Sequence, residues 1–228
     1  MAQQYDFSES LRRIDTVLAS PLTNTTSETI PDKGNLNVSQ TTDTFATVLH
    51  IEFELIPRPS ETTPSKESAK VLYSFISEVI NIVTAHETCK DIVAIGNSLT
   101  VIYDTPLRVN LNGALDDAAR IRTLAFVISK KSSNLELSRI NIKISMDYGS
   151  VTLLPLTSQH HSWIGEPIDR VKNLANLSQK GCIMITDKIR INLSEHNQTL
   201  FEKDDEHRDI YKGYIVNTLM SQWLEEQK

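Results

Sequence analysis

The chain has 228 residues, 39% of them hydrophobic and 23% charged, with a formal net charge of −6 at pH 7. That length can bury a sizeable core in one large domain or two small ones. The acidic balance argues against a nucleic-acid partner, because phosphate contact is dominated by Lys and Arg. No apolar stretch is long enough to span a bilayer, so no membrane contact is expected. The opening MAQQYDFSESLRRID lacks the apolar run and small-residue cleavage site of a signal peptide. Cys89 and Cys182 lie far apart, and neither belongs to a C-x-x-C pair. They read as two reduced thiols in a cytoplasmic protein.

In chain order, residues 6–19 carry Phe7, Leu11, Ile14 and Leu18 at helical spacing. This predicts a short amphipathic helix that docks on the body or on a partner. Residues 21–39 are rich in Thr, Ser, Asn and Pro and read as a loop. Over 45–55, Phe45, Leu49, Ile51, Phe53 and Leu55 alternate onto one face of a strand; Val48, His50, Glu52 and Glu54 take the other. Pro57, Pro59 and Pro64 then break the chain. Leu72, Phe75, Ile76, Val79, Ile80 and Val83 mark a helix. Two apolar runs around Gly96-Asn97-Ser98 signal a hairpin.

Ala114, Ala118, Ile121, Ala125 and Ile128 define the next helix. Ile140, Ile142, Ile144 and Met146 alternate as a strand, which 151–154 can continue. His160 and His161 are adjacent between polar residues and read as loop residues; their side chains point apart, which makes a poor chelate. A helix is predicted over 166–177, a strand over 182–186 and a short helix over 187–193. A last strand over 210–212 and a last helix over 216–224 close the chain. No P-loop, nucleophile elbow or zinc motif appears. The fold class is therefore α+β. Its first part has the βαββαβ order of a ferredoxin-like unit, an antiparallel-rich sheet with helices packed on it. No internal repeat is evident.

The segments FATVLHIEFEL, DIVAIGNSLTVIYDTP, ISMDYGS, WIGEPIDRVKNLANLSQKG and IMITDKIRINL resemble, in order and spacing, the class III nucleotide cyclase domain. Within that superfamily they look most like the Pycsar pyrimidine cyclases of bacterial anti-phage defence. The opening YDFSESLRRIDTVL and the closing YKGYIVNTLMSQWLEE carry the likeness to both ends. The resemblance implies an N-terminal helix and loop over 1–40 and a cyclase-homology domain over 41–228. It also implies the conversion of UTP or CTP to 3′,5′-cyclic UMP or CMP and pyrophosphate. Two divalent ions, Mg²⁺ or Mn²⁺, assist that reaction in the family. The site of such enzymes lies between two cyclase domains, in a homodimer or a heterodimer.

The matching positions carry altered residues. The first metal Asp of the family falls on Glu52 and the second on Asn97. Glu52 moves a carboxylate out by one methylene, which strains the octahedral geometry of Mg²⁺; the plain alternative is a polar-face strand residue. Asn97 brings an amide without charge, and an Asn after Gly is also a common turn residue. On the helix predicted over 166–177 the transition-state Asn falls on Asp169 and the basic residue on Asn173, so an amide has become an acid and a cation has become neutral. Arg170 and Lys172 are near but point elsewhere around the helix. Phe53, Glu54, Val93, Ser162 and Lys212 fall at substrate-binding positions. Val93 and Ser162 do not match the Lys and Asp of adenylate cyclases; Val93 also suits strand packing, and Lys212 a plain surface site. Whether the chain is an enzyme is left open by this set. If active, it is a pyrimidine cyclase; otherwise it is a non-catalytic partner of an intact cyclase.

Overall fold

The alternation read over 45–55 is the middle of a 17-residue strand, β2 (Gln40–Ile56). The computed structural model describes residues 6–21, 23–32, 40–57, 68–157, 160–178 and 181–227. β2 pairs antiparallel with β4 (Ser98–Tyr103) on one side and with the equally long β5 (Arg139–Pro155) on the other. α2 (Ser68–Thr84) crosses from β2 to β3 (Cys89–Ile95), and α3 (Arg108–Asn134) crosses from β4 to β5. The sheet order β3-β4-β2-β5 places β2 between two later strands, which is the split βαβ arrangement of a ferredoxin-like unit. The sheet continues through β7 (Ile183–Thr186), β9 (Ile210–Gly213) and β8 (Glu202–Lys203). The predicted α+β class and the βαββαβ core are both present. Pro59 and Pro64 lie outside the described residues.

The two faces of β2 enter different cores, as the alternation requires. Leu49, Ile51 and Phe53 pack with Val71, Phe75 and Val79 of α2 and with Ala114, Ala118 and Ile121 of α3. Val48 faces the other way, with Ile102, Val151, Trp163, Ile168 and Val171. This second core lies under α4 (Glu166–Leu177), which packs on β2 and β5. Arg122 of α3 donates to the carbonyls of Gly181, Tyr214 and Ile215, tying the segments around β7 and β9 to that helix. The last helix, α7 (Thr218–Glu226), is capped by Asn217. None of the described helices is long and apolar enough to cross a membrane.

Four short elements were not expected. Thr23–Thr26 forms β1, parallel to the start of β2, inside the stretch read as a loop. His161–Ile164 forms β6 against the end of β5, so His161 is a strand residue. α6 (Glu195–Gln198), which follows α5 (Asp187–Asn192), and β8 complete the set. The first helix, α1 (Phe7–Ala19), forms as predicted and is capped by Asp6. Phe7, Leu11, Ile14 and Leu18 remain exposed, so the body of this chain does not cover its apolar stripe.

Asp117 of α3 is a buried carboxylate on the α2–α3 side. The Tyr103 hydroxyl donates to its Oδ2 at 3.1 Å. His86 Nε2 lies 3.2 Å and Arg120 Nη1 3.4 Å from Oδ1. Burial outweighs these partners and lifts the Asp117 carboxyl from its ordinary 3.8 to about 6. Folded Asp117 therefore holds a proton at pH values where the unfolded chain has released it. At this group the folded state binds more protons between about pH 4 and 6, so the contribution of Asp117 to stability falls as pH rises through that window. Thermal melts across that range are expected to show wild type losing ground relative to Asp117→Asn, which cannot ionise. Parallel pH profiles for the two proteins would exclude Asp117 as the titrating group.

Candidate functional site

Glu52 lies on the α4 face of β2, in register between Ser98 of β4 and Lys143 of β5. Its side chain is 27% exposed, and its Oε1 is 3.7 Å from Nε2 of His50, two residues earlier on the same face. His50 is almost fully buried and shares a hydrogen bond of 2.8 Å between its Nδ1 and Thr100 Oγ1. Burial pushes the His50 pKa down; the Glu52 carboxylate opposes this, and the nearby Lys172 ammonium adds to it.

Asn97 occupies the second position of the β3–β4 turn. Gly96 takes the positive φ of +59° at the first position, the arrangement of a type II′ hairpin. Asn97 itself has no positive φ, so tolerance of left-handed backbone does not explain it. Its Nδ2 donates to the Phe53 carbonyl at 3.3 Å, and its own carbonyl accepts from the Phe53 N–H at 3.0 Å. Glu52, Phe53, Glu54 and Asn97 thus line one small cleft of about 240 Å³, with Asn141 and Lys143. The Phe53 ring turns into the core against Phe75, so Phe53 offers the cleft its backbone.

The two divalent ions that the resemblance implies are held in the family by two Asp carboxylates, with substrate phosphate and water completing their shells. Among the described residues, no group of three His, Cys, Asp or Glu gathers where it could hold a metal. Lys143 stands directly opposite Glu52 across the strand pair, which puts a competing cation beside the carboxylate. Asn97 commits its amide donor to a backbone oxygen and brings no charge. The residues present therefore do not fit a two-ion centre.

A larger cleft of about 450 Å³ opens beside α4, where the second core stops short of Glu52. Glu52, Val93 and Ser162 all line it. Val93 also packs against the second core, so its packing and lining roles coexist. From α4 come Ile168, Lys172 and Asn176, spaced by four and hence on one ridge of the helix. Lys172 does point away from the Asp169–Asn173 ridge, as its helical position requires. That direction leads into the cleft, and sequence reasoning alone did not find it. Arg170 is used structurally: it lies 3.3 Å from Glu166 and 3.7 Å from the buried Asp147.

β6 adds a buried polar cluster at the cleft wall. Asp91, 6% exposed, accepts on Oδ2 from the Trp163 indole N–H at 2.8 Å and bonds His161 Nε2 at 2.5 Å. His161 and Trp163 both line the cleft. His161-Ser162-Trp163-Ile164 shows no polar-apolar alternation, so the sequence carried no signal for this strand. The adjacent His160 turns away and meets Thr157 Oγ1 at 2.9 Å, so the two imidazoles do point apart.

Asp169 and Asn173 stand exposed on the neighbouring ridge of α4. Asn173 lines a separate cleft with Leu177, His207 and Arg208. Lys212 of β9 pairs with Met184 and Glu202 and lies 4.0 Å from Asp204. β9 is three strands from β2, roughly 14 Å across the sheet. One chain thus brings Glu52 and Asn97 together but does not bring Asp169, Asn173 or Lys212 to them.

No family model matches the chain. Two curated relatives do, both uridylate cyclases. That of Treponema porcinum is 20% identical over 226 residues, covering 96% of this chain and 79% of the relative. That of Gulbenkiania mobilis is 21% identical, covering 99% of this chain and 98% of the relative. Among solved structures, the adenylyl cyclase CyaB of P. aeruginosa superposes with a TM-score of 0.65 at 14% identity, over 78% of this chain and 97% of that one. A class III adenylyl cyclase-like ATP-binding protein from Pseudomonas aeruginosa gives a TM-score of 0.70 at 13% identity, over 95% of this chain and 49% of that one.

The sheet order, the helix placement and these superpositions define a class III nucleotide cyclase fold. Within that class the chain resembles the uridylate cyclases, over nearly its whole length.

Proposed function

We propose that this chain is a pyrimidine nucleotide-binding cyclase homologue of Pycsar type whose own turnover is weak or absent. The ancestral reaction is the cyclisation of UTP or CTP to 3′,5′-cyclic UMP or CMP with release of pyrophosphate. One observation carries the reading: the α4 cleft keeps ligand-binding groups, Glu52, His50, Lys172 and a fixed His161, while Asn97 and Asn173 are neutral and Asp169 is acidic where the resemblance puts an acid, a cation and an amide. An acid at Asp169 repels a triphosphate, and a neutral Asn173 cannot stabilise its transition state. Lys172 supplies a cation for the phosphates in place of one at Asn173.

A second reading is favoured by the separation of Glu52 and Asn97 from Asp169, Asn173 and Lys212. Such a split suits a site shared by two subunits, so the chain pairs with itself or, as a regulatory partner, with an intact cyclase. Its setting would be the cytoplasm, in defence against phage.

The test is direct. Purified protein is incubated with UTP, CTP, ATP and GTP in Mg²⁺ and in Mn²⁺, and cyclic product, pyrophosphate and nucleotide binding are measured. Pyrimidine nucleotides are expected to bind with little or no product, and any trace product should vanish in Glu52→Ala. Turnover near the ~10 s⁻¹ common among enzymes would overturn the weak-enzyme reading. Failure to bind any of the four would overturn the nucleotide reading itself.

A further inference from the structure

We propose that His161, held by Asp91, reads the base of the bound nucleotide and selects uracil over cytosine. The inference rests on the nucleotide-binding reading above and assigns the selectivity within it. Asp91 is buried, and its carboxylate accepts the Ile92 N–H on Oδ1 at 2.8 Å and the Trp163 indole N–H on Oδ2 at 2.8 Å. His161 Nε2 bonds the same Oδ2. An ionised carboxylate only accepts hydrogen bonds, so Nε2 carries the ring proton. In the neutral ring, the form this role requires, the other nitrogen, Nδ1, is an acceptor, and it meets no hydrogen-bond partner among the described residues. The Trp163 ring stands perpendicular to the imidazole, with centroids 6.5 Å apart, and restricts its rotation. The His161 side chain is 18% exposed and lines the cleft.

The resemblance puts base selection at Val93 and Ser162. Ser162 lines the cleft too, but strand alternation turns its side chain to the opposite face of β6 from His161 and Trp163. His161 shares the sheet face of Asp91 and Val93, so the reading group moves by one residue. Val93, Ile102 and Ile168 supply apolar cleft walls suited to the flat faces of a small ring. On its edge, uracil presents N3–H as a donor between two carbonyls. Cytosine presents a bare N3 lone pair at the same place. A fixed acceptor satisfies the first and opposes the second, which is how a hydrogen-bonding site discriminates.

The test uses 3′-deoxy-UTP and 3′-deoxy-CTP, which lack the hydroxyl that cyclisation consumes, titrated calorimetrically into the full chain in Mg²⁺. Wild type is expected to bind the uridine analogue roughly tenfold more tightly than the cytidine analogue, the scale of one hydrogen bond. His161→Ala should weaken the uridine analogue by about that factor and leave the cytidine analogue nearly unchanged. Equal affinities in wild type, or a uridine preference that survives in His161→Ala, would overturn the role of His161 and leave nucleotide binding intact. Binding of neither analogue by wild type would overturn both readings.

Discussion

The triple variant Asn97→Asp, Asp169→Asn, Asn173→Arg is expected to cyclise UTP or CTP at least about a thousandfold faster than the parent chain. Each change reverses a specific electrostatic loss. Asp at position 97 would place a second carboxylate at the small cleft beside Glu52 and remove the amide donor now bound to the Phe53 carbonyl. Asn at position 169 would remove a negative charge from the exposed ridge of α4, where the resemblance puts the triphosphate. Arg at position 173, one turn along that ridge, would place a cation where the resemblance puts the one that stabilises charge on the transferring phosphoryl group. In phosphoryl transfer such a cation is worth about 10³–10⁵ in rate. The three belong in one variant because groups that act as a unit are not additive, and single reversions are expected to give little. Cyclic product and pyrophosphate, followed in Mn²⁺ and Mg²⁺, provide the readout. A folded triple variant that stays at the parental rate would show that more than these positions has been lost.

Gly165→Ala is expected to destabilise the chain by about 3 kcal/mol, combining backbone strain of about 1–3 kcal/mol with a steric clash. For a domain of this size that lowers the melting temperature by roughly 6–12 °C. Gly165 has φ +148° and ψ 157°, a region that side chains rarely adopt. A Cβ there would lie 2.7 Å from the Ser150 carbonyl oxygen and 3.1 Å from Val151 Cα. Both atoms belong to the backbone of β5, which is held along nearly its whole length by β2 and cannot give way cheaply. Gly165 also caps α4, and its carbonyl accepts from the Ile168 N–H at 3.0 Å. Displacing that turn shifts the ridge that carries Ile168, Lys172 and Asn176, so nucleotide affinity should fall with stability. Gly96→Ala is the control. Its φ is also positive, at +59°, but a Cβ there meets nothing within 4 Å, so about 1–2 kcal/mol is expected. Equal losses at the two glycines would remove the clash with β5 from the explanation.

Long elements were legible because their patterns are local and repeated. β2 and β5 alternate over many residues, and the ridge Val71, Phe75, Val79 and Val83 recurs every four. The helix predicted over 166–177 covers the same residues that form α4. The short strands were not legible. β1 and β6 have four residues each, and both exist only through pairing with longer strands. Four residues carry too few alternations to distinguish a strand from a polar loop. The apolar stripe of α1 predicted a docked helix, but amphipathicity names a face and not what covers it.

The candidate site divides in the same way. From sequence alone came Glu52 on the polar face of its strand, Asn97 at the hairpin, and the altered charges at Asp169 and Asn173. The first two follow from residue identity and spacing along one element; the altered charges are read only against the pattern of the resembling cyclase domain. Only the tertiary structure decided that Lys172 enters the cleft, that Asn97 is engaged by the Phe53 carbonyl, and that Asp91 fixes His161. Asp91 and His161 are 70 residues apart. They meet because the sheet order brings the β3–β4 hairpin and the β5–β6 pair to the same face, a long-range placement that no periodicity within either segment encodes.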